Sequence, residues 1–372
     1  MKRKIFLLYP YYWPHYKAGG PVQSLFNLVS LFSEQCDFYL IALEKDLDGL
    51  PSEKLIHSNA WVKGPNQENV FYTDSFTPWF VYKLVKQVKP DVVLLNGMFN
   101  IHTTLNGLLA AKLLGIKVII SPRGMLQAWA LKRSATIKKI MMLFFKILLK
   151  KNEVWHATDA QEKSDITFHF GAEQRVFEAS NIPRKVSSFR PLPFPDEKGK
   201  IKIVFLSLIN SNKNLHLIID AVNQCPEYVL DIYGPVIDQA YWDLCKTKIL
   251  DTSSVFYKGP IPPWDVPDVL SQYHFFVLPT QGENFGHAIF DALSVGVPIL
   301  ISKKTPWQNI EEKGAGFYIV LEDEESLPSI LKQVSKWSDE DYAALRNKSM
   351  QYAIDYWHKT DFKKDYSFLI DE

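Results

Sequence analysis

FFVLPTQGENFGHAIFDALSVGVPILIS, Phe275 to Ser302, decides how this chain folds. Two apolar runs, FFVL and VGVPILIS, flank a short loop with two glycines and a helical segment. Short apolar runs bounded by turn residues read as strands buried on both faces. The unit is therefore strand, tight loop, helix, strand. The loop holds an acid, Glu283, and the helix holds a second, Asp291. Asn284, Phe285, Gly286 and His287 stand where the helix begins. A helix start with free backbone N–H groups and a glycine for close approach receives anions. Acids on either side of it suit a ligand that is anionic in the middle and hydroxyl-rich at its ends. A sugar nucleotide has that character.

The same rhythm runs outward in both directions. Towards the N-terminus, strands are expected at Ile5–Tyr9, Phe38–Leu43, Asp91–Asn96 and Lys117–Ser121, and helices at Val22–Phe32, Pro78–Val88 and Leu105–Leu114. Gly19 and Gly20 precede the first helix, and Pro21 suits its first position. The pair lets backbone approach a phosphate, or forms an ordinary turn. It is not the dinucleotide fingerprint, because G-x-G-x-x-G is absent. Ligands of parallel sheets bind beyond the carboxyl ends of the strands, here the loops near Gly19, Asn96 and Ser121. Arg123, just after that last strand, either pairs with a phosphate or carboxylate or bonds loop carbonyls. Thr158 with Gln161 is expected to cap the next helix. The proline- and charge-rich run at 188–199 reads as a linker. After it come strands at Ile201–Leu206, Val229–Tyr233 and Val255–Tyr257, the opening unit, a strand at Gly314–Val320 and a capped helix from Asp339. The fold class expected is α/β, with two Rossmann-like parallel-sheet domains facing a cleft. They span 1–190 and 191–354, and a final helix at about 355–372 packs back on the first.

The chain's 372 residues, 47% hydrophobic and 22% charged, are a globular composition long enough for two domains. A net charge of +1 speaks against a general polyanion binder, so no nucleic-acid partner is expected. Cys36, Cys225 and Cys245 lack metal spacing and read as reduced thiols, which places the chain in the cytoplasm. MKRKIFLLYP begins like a signal peptide, but Pro10 interrupts it early, and a first strand is the better reading. No apolar run approaches the ~18 residues needed to span a bilayer. Lys132–Asn152 carries seven Lys or Arg, no acid, and an apolar face of Ile137, Ile140, Met141, Phe144, Phe145 and Leu148. A basic amphipathic helix of this kind lies on an anionic membrane surface, so peripheral contact through about 132–151 is expected.

Taken together, ENFG with its flanking strand, AGGPVQSL, SPRGML, HATDAQE, TPWQNI and GAGFYI resemble the retaining glycosyltransferases of family 4, which have the GT-B fold. The resemblance covers nearly the whole chain. It implies that Glu283 bonds hydroxyls of the donor sugar and that Asn284 to His287 offer N–H groups to the diphosphate and sugar. It further implies that Asp291 holds the ribose diol, that Gly20 approaches the diphosphate from the other domain and that Lys213 neutralises the leaving phosphate. Tyr257, Gly259 and Ile261 would line the base. Two departures stand out. Leu208 occupies the place of the family's second cation, and Asp291 replaces a Glu. Asn96 or His102 takes the place of a cleft histidine. No acidic D-x-D loop is suitably placed, so neither a metal nor another cofactor is expected. The function implied is sugar transfer from a nucleotide donor to a glycan or lipid-linked acceptor at the cytoplasmic face of the inner membrane, for surface polysaccharide. A catalytically silent glycan- or membrane-binding protein and a sugar-nucleotide epimerase are the alternatives.

Overall fold

The computed structural model describes residues 2–51, 58–127, 130–131, 135–149, 153–186, 193–195 and 199–371. They form two compact units, Met1–Ile182 with Asp361–Glu372, and Pro183–Thr360.

Among the described residues, the first unit holds an eight-stranded sheet. Its strands are β1 (Arg3–Leu8), β2 (Cys36–Ala42), β3 (Trp61–Lys63), β4 (Asn69–Tyr72), β5 (Val92–Asn96), β6 (Lys117–Ser121), β7 (Val154–Ala157) and β8 (Arg175–Glu178). Their order is β3-β4-β2-β1-β5-β6-β7-β8. Only the edge pair β3–β4 is antiparallel among them. β1 lies between β2 and β5, with Ile5 facing Phe38 on one side and Val92 on the other. Ile5, Phe6 and Leu7 have no exposure at all. That explains why FLL reads as a continuous apolar run rather than an alternation: helices cover both faces of a parallel sheet. The final segment belongs to this unit through Tyr366, whose hydroxyl donates to the Ser180 carbonyl at 3.0 Å.

The second unit is a six-stranded, wholly parallel sheet. It comprises β9 (Ile201–Leu206), β10 (Tyr228–Tyr233), β11 (Val255–Gly259), β12 (Phe275–Leu278), β13 (Ile299–Ser302) and β14 (Gly316–Ile319), in the order β11-β10-β9-β12-β13-β14. Phe205, Phe275, Ile299 and Leu293 are fully buried in one continuous core. Each such side chain contributes roughly 1.5–3 kcal/mol by leaving water. The opening stretch of the sequence is thus β12, its loop, the helix His287–Ser294 and β13.

Some local expectations shift. The helix after β7 starts at Ala160 and is capped by Asp159, whose carboxylate accepts from Glu162 N at 2.7 Å. Thr158 instead donates, through backbone and hydroxyl, to the Glu162 carboxylate. A carboxylate at the cap is favoured by the helix dipole, and the register moves by one residue. Beyond β5, Ile101–Leu105 forms a π-helical turn that the periodicity does not reveal. Asn100 caps it by accepting from Thr103 N at 3.0 Å. The cysteines are free and buried.

Candidate functional site

In each sheet the chain reverses its direction of growth at one place. In the second unit that place lies between β9 and β12, from which the strand order runs outward to β10 and β11 on one side and to β13 and β14 on the other. The loops leaving such a pair separate and open a crevice at the carboxyl edge.

The loop from β9 enters a 3₁₀ turn, Ser211–Lys213, and then Asn214 in the left-handed region at φ 50°. Asn tolerates that conformation. Its side chain also donates to the Pro279 carbonyl at 2.8 Å, tying the β9 loop to the β12 loop. A second tie runs from Gln281 N to the Asn212 carbonyl at 2.8 Å. The fully buried Thr280 hydroxyl accepts from Gly282 N at 3.2 Å. These bonds bring Lys213 and Glu283 together, with Nζ 2.5 Å from Oε1. Their side chains are 12% and 16% exposed. The pair is charge-assisted and short, yet open enough for a ligand to compete for the ammonium.

Gly286 begins the helix that follows, at φ 78°, and no side chain caps it. A Cβ there would stand 2.8 Å from Ile289 Cδ1, so the position takes glycine for its conformation and for want of space. Phe285 is buried against Trp307, whose indole donates to the Phe285 carbonyl at 2.6 Å. His287 packs on Phe285 at 4.8 Å between rings. The aromatic cluster anchors the start of the helix while the loop before it stays at the edge.

Asp291 is buried, and burial pushes its carboxyl above the usual range, with the Arg184 guanidinium opposing. Arg184 Nε lies 3.5 Å from Asp291 Oδ1 and makes no hydrogen bond. The other end of that guanidinium donates to the Pro263 carbonyl. Arg184 therefore joins Asp291 to the loop after β11. Sequence reasoning does not find it, because a single arginine in a proline-rich run carries no motif. Tyr257 sits on β11 with its ring 5.1 Å from Trp242 and its hydroxyl donating to the Gly234 carbonyl. Gly259 follows at φ 80°, and Ile261 is half-buried against the core. Leu208 is half-buried in the β9 loop.

In the first unit the sheet reverses between β1 and β5. Gly19, at φ 74°, is the cap of the helix Gly20–Phe32. Arg123, itself at φ 58°, donates from Nε to Asn96 Oδ1 at 2.7 Å and from Nη1 to Asn181. Burial, with Arg123 nearby, lowers the His156 imidazole to about 3, so that ring is neutral and serves the Ser121 hydroxyl 3.0 Å away. His102 is exposed on the π-helical turn.

Glu283, Lys213, Asn284, Phe285, Gly286, His287 and Asp291 thus gather on the β9 and β12 side of the second unit. Tyr257, Gly259 and Ile261 follow β11, and Arg184 links that loop to Asp291. Gly19, Gly20, Asn96, His102 and Arg123 lie at the carboxyl edge of the first unit. The two D-x-D sequences are engaged locally. Asp46 accepts from Tyr16 N at 2.9 Å, Asp48 pairs with Lys17, and Asp341 closes a capping box with Ser338.

Residues 192–353 match the family of glycosyl transferases group 1. No curated protein matches the chain. Several solved structures do. HepE from Anabaena, solved with UDP and glucose, aligns with a TM-score of 0.72 at 15% identity, covering 99% of each chain. Sucrose-phosphate synthase from Thermosynechococcus elongatus gives 0.72 at 14%, covering 95% of this chain and 94% of that one. A variant of TarM from S. aureus, solved with fondaparinux, alpha-GlcNAc-glycerol and UDP, gives 0.71 at 11%, covering all of both. Likeness at such identities establishes the fold, which is α/β with two parallel-dominated sheets, as in the GT-B glycosyltransferases.

Proposed function

We propose that this protein moves a sugar from a nucleotide-sugar donor to a glycan or lipid-linked glycan acceptor, with retention of configuration, in the synthesis of a surface polysaccharide. The observation that carries the reading is the Lys213–Glu283 pair at the β9–β12 reversal, inside the region that matches the group 1 glycosyl transferases. HepE was solved with UDP-glucose as well as with UDP, and a UDP-sugar is the donor we test first.

Cleaving a glycosyl–phosphate bond leaves positive charge at the anomeric carbon and negative charge on the departing diphosphate. Fixed dipoles and cations stabilise the second most effectively where water is scarce. Lys213 brings three N–H donors, and the uncapped helix start at Gly286 brings backbone N–H groups. When the diphosphate takes Lys213, Glu283 is released to accept from sugar hydroxyls. Asp291, about one turn into the helix, takes the ribose diol, and Arg184 gives up its contact as it does so. The leaving phosphate serves as base on the face it departs from. The D-x-D carboxylates are committed to their own chain, so the reaction proceeds without a divalent cation. In a panel of sugar nucleotides, purified protein should release nucleotide from one donor at a rate that EDTA leaves unchanged. Release from none of them, with no donor bound, refutes the transfer and epimerase readings alike. It would favour the silent binding protein that Leu208 and the Arg184-held Asp291 suggest.

The helix Ala135–Leu148 supports peripheral membrane contact. Residues 132–134 and 150–151 of that basic stretch lie outside the described residues. Met141 and Phe145 bury into the core, while Ile137, Ile140, Leu143, Phe144 and Ile147 are 50–71% exposed. The apolar arc is therefore wider than the core needs. Lys139 and Lys146 stand exposed on the same helix, whereas Lys138 donates to the Ala130 carbonyl. A monomer seldom displays such a stripe to water. No helix of the described residues is long and apolar enough to cross a bilayer. Replacing Ile140, Phe144 and Ile147 by serine should weaken binding to phosphatidylglycerol vesicles by about 10–100-fold, since each apolar side chain inserted contributes on the order of 1 kcal/mol. Unaltered co-sedimentation removes the membrane from the proposal.

A further inference from the structure

Trp307 belongs to TPWQNI, a stretch that the transfer chemistry above leaves without a task. It lies in the loop after β13 and is 2% exposed. A buried indole needs an acceptor for its N–H, and here the acceptor is the Phe285 carbonyl, at 2.6 Å. The ring has little room to offer any other. Phe285, Phe290 and Tyr356 stand 5.2, 5.8 and 5.0 Å from it, ring to ring. Its own backbone carbonyl accepts from the Tyr318 hydroxyl at 2.9 Å.

This bond is one of three by which the β13 end holds the β12 loop. The Ser302 hydroxyl donates to the Thr280 carbonyl at 2.5 Å, and Glu283 N donates to the Lys304 carbonyl at 3.2 Å. Those two fix where the loop runs. The third fixes which way a peptide faces. A trans peptide is planar, so its C=O and N–H point in opposite directions, and Phe285–Gly286 is trans. With the carbonyl turned to the indole, the Gly286 N–H is turned away from it. No backbone carbonyl among the described residues accepts from that N–H.

The same peptide borders the Lys213–Glu283 pair. A Cβ built on Gly286 would lie 3.6 Å from Glu283 Cγ. Glycine takes φ of either sign, so a peptide that precedes one flips readily unless something holds it. A flipped peptide would present its carbonyl oxygen where the N–H had been. An anion arriving there would meet partial negative charge in place of a donor.

We propose that Trp307 is a positioning residue for the transfer. Its indole locks the Phe285–Gly286 peptide so that the Gly286 N–H faces a phosphate oxygen of the donor. The proposal rests on the glycosyl-transfer reading. Trp307 acts through the peptide and touches no ligand itself, so its effect falls on the phosphates and spares the nucleoside.

Calorimetric titration of the full chain with UDP, GDP and ADP, and with their nucleosides, tests this. The wild type should bind one diphosphate. Trp307→Phe keeps an aromatic ring in place and removes the N–H. It should weaken that diphosphate by roughly tenfold or more, the worth of a bond to a charged group, and leave the nucleoside almost unchanged. Tyr318→Phe is the control for stability: it removes the bond to the Trp307 carbonyl and should lower the melting temperature while diphosphate affinity stays intact. An unchanged diphosphate in Trp307→Phe, equal weakening of nucleoside and diphosphate, or the same loss in Tyr318→Phe overturns the proposal.

A measurement on the wild type does not depend on the variant folding. The sequence has two Phe–Gly pairs, Phe170–Gly171 and Phe285–Gly286. Carbon-13 at phenylalanine carbonyls and nitrogen-15 at glycine therefore leave two amide signals, and Phe170→Leu identifies one by removing it. The diphosphate should move the Gly286 amide proton downfield and leave that of Gly171, which already donates to the Thr167 carbonyl at 2.9 Å. A Gly286 signal that stays put at saturation refutes the proposal alone. Wild-type protein that binds no diphosphate refutes the donor reading, and the proposal falls with it.

Discussion

Lys213→Ala lowers the rate of nucleotide release from the donor by about 10²–10³-fold, the usual consequence of removing one fixed stabiliser of a developing anion. The argument rests on position. Lys213 closes a 3₁₀ turn whose end is pinned by Asn214 to the Pro279 carbonyl, and its side chain is only 12% exposed. A cation so placed does not reorganise when charge develops, and little water screens it. Leu208 offers no charge as a substitute. The loss cannot be read alone, because the variant strands the Glu283 carboxylate without its partner, at a cost of about 1–3 kcal/mol in stability. Lys213→Ala combined with Glu283→Gln removes that cost and keeps the rate defect. Glu283→Gln alone should raise the donor KM and lower kcat while the melting temperature changes little. The ties from Asn214 Nδ2 to the Pro279 carbonyl and from Gln281 N to the Asn212 carbonyl do not involve the Glu283 side chain. Release within a few-fold of wild type in the Lys213→Ala protein would assign the pair to the fold rather than to the reaction.

Gly234→Ala is expected to cost about 3 kcal/mol or more and to disrupt the second unit. Gly234 follows β10 at φ 133°, where residues with a side chain are strained by about 1–3 kcal/mol. The space is the larger obstacle. An added Cβ would lie 1.8 Å from the Ser207 carbonyl oxygen, which is backbone and cannot swing aside. Ser207 opens the loop that carries Lys213, and Gly234 N donates to the Gly259 carbonyl at 3.0 Å. Relieving the clash thus means parting β9, β10 and β11 at their carboxyl ends. Gly282→Ala is the control. It lies beside Glu283, has no neighbour within 4 Å of an added Cβ, and does not require a positive φ. Urea unfolding should show an early transition in the Gly234 variant and a wild-type curve for Gly282→Ala. Equal curves would mean that the strand ends yield more readily than their hydrogen bonds indicate.

The strand–loop–helix–strand of residues 275–302 was legible because its signals are local. Four-residue apolar runs, a loop with Gly282 and Gly286, and a helix that buries Ile289, Phe290 and Leu293 all agree. Lys213 and Glu283 each stood out singly, on resemblance. Their contact, across 70 residues of chain, depends on β9 and β12 being neighbours in the sheet. Asp291 was legible as an acid on a helix and not as a buried acid opposite Arg184, since burial is a property of what packs against it. The basic helix shows the converse. Its composition announced an amphipathic segment, but five exposed apolar side chains beyond those the core covers became apparent only once the helix had docked through Met141 and Phe145.

The sequence by itself determined which residues alternate between strand and helix, where glycine permits a turn, and which acids and cations are available near strand ends. Those follow from steric limits and apolar periodicity, which act over a few residues. The tertiary structure alone decided the order β11-β10-β9-β12-β13-β14 and the reversal point that brings Lys213 to Glu283. It also decided the Arg184–Asp291 contact and the bond from the Trp307 indole to the Phe285 carbonyl. Pairing order and burial are set by the packing of the whole sheet, and no stretch of chain carries that information locally.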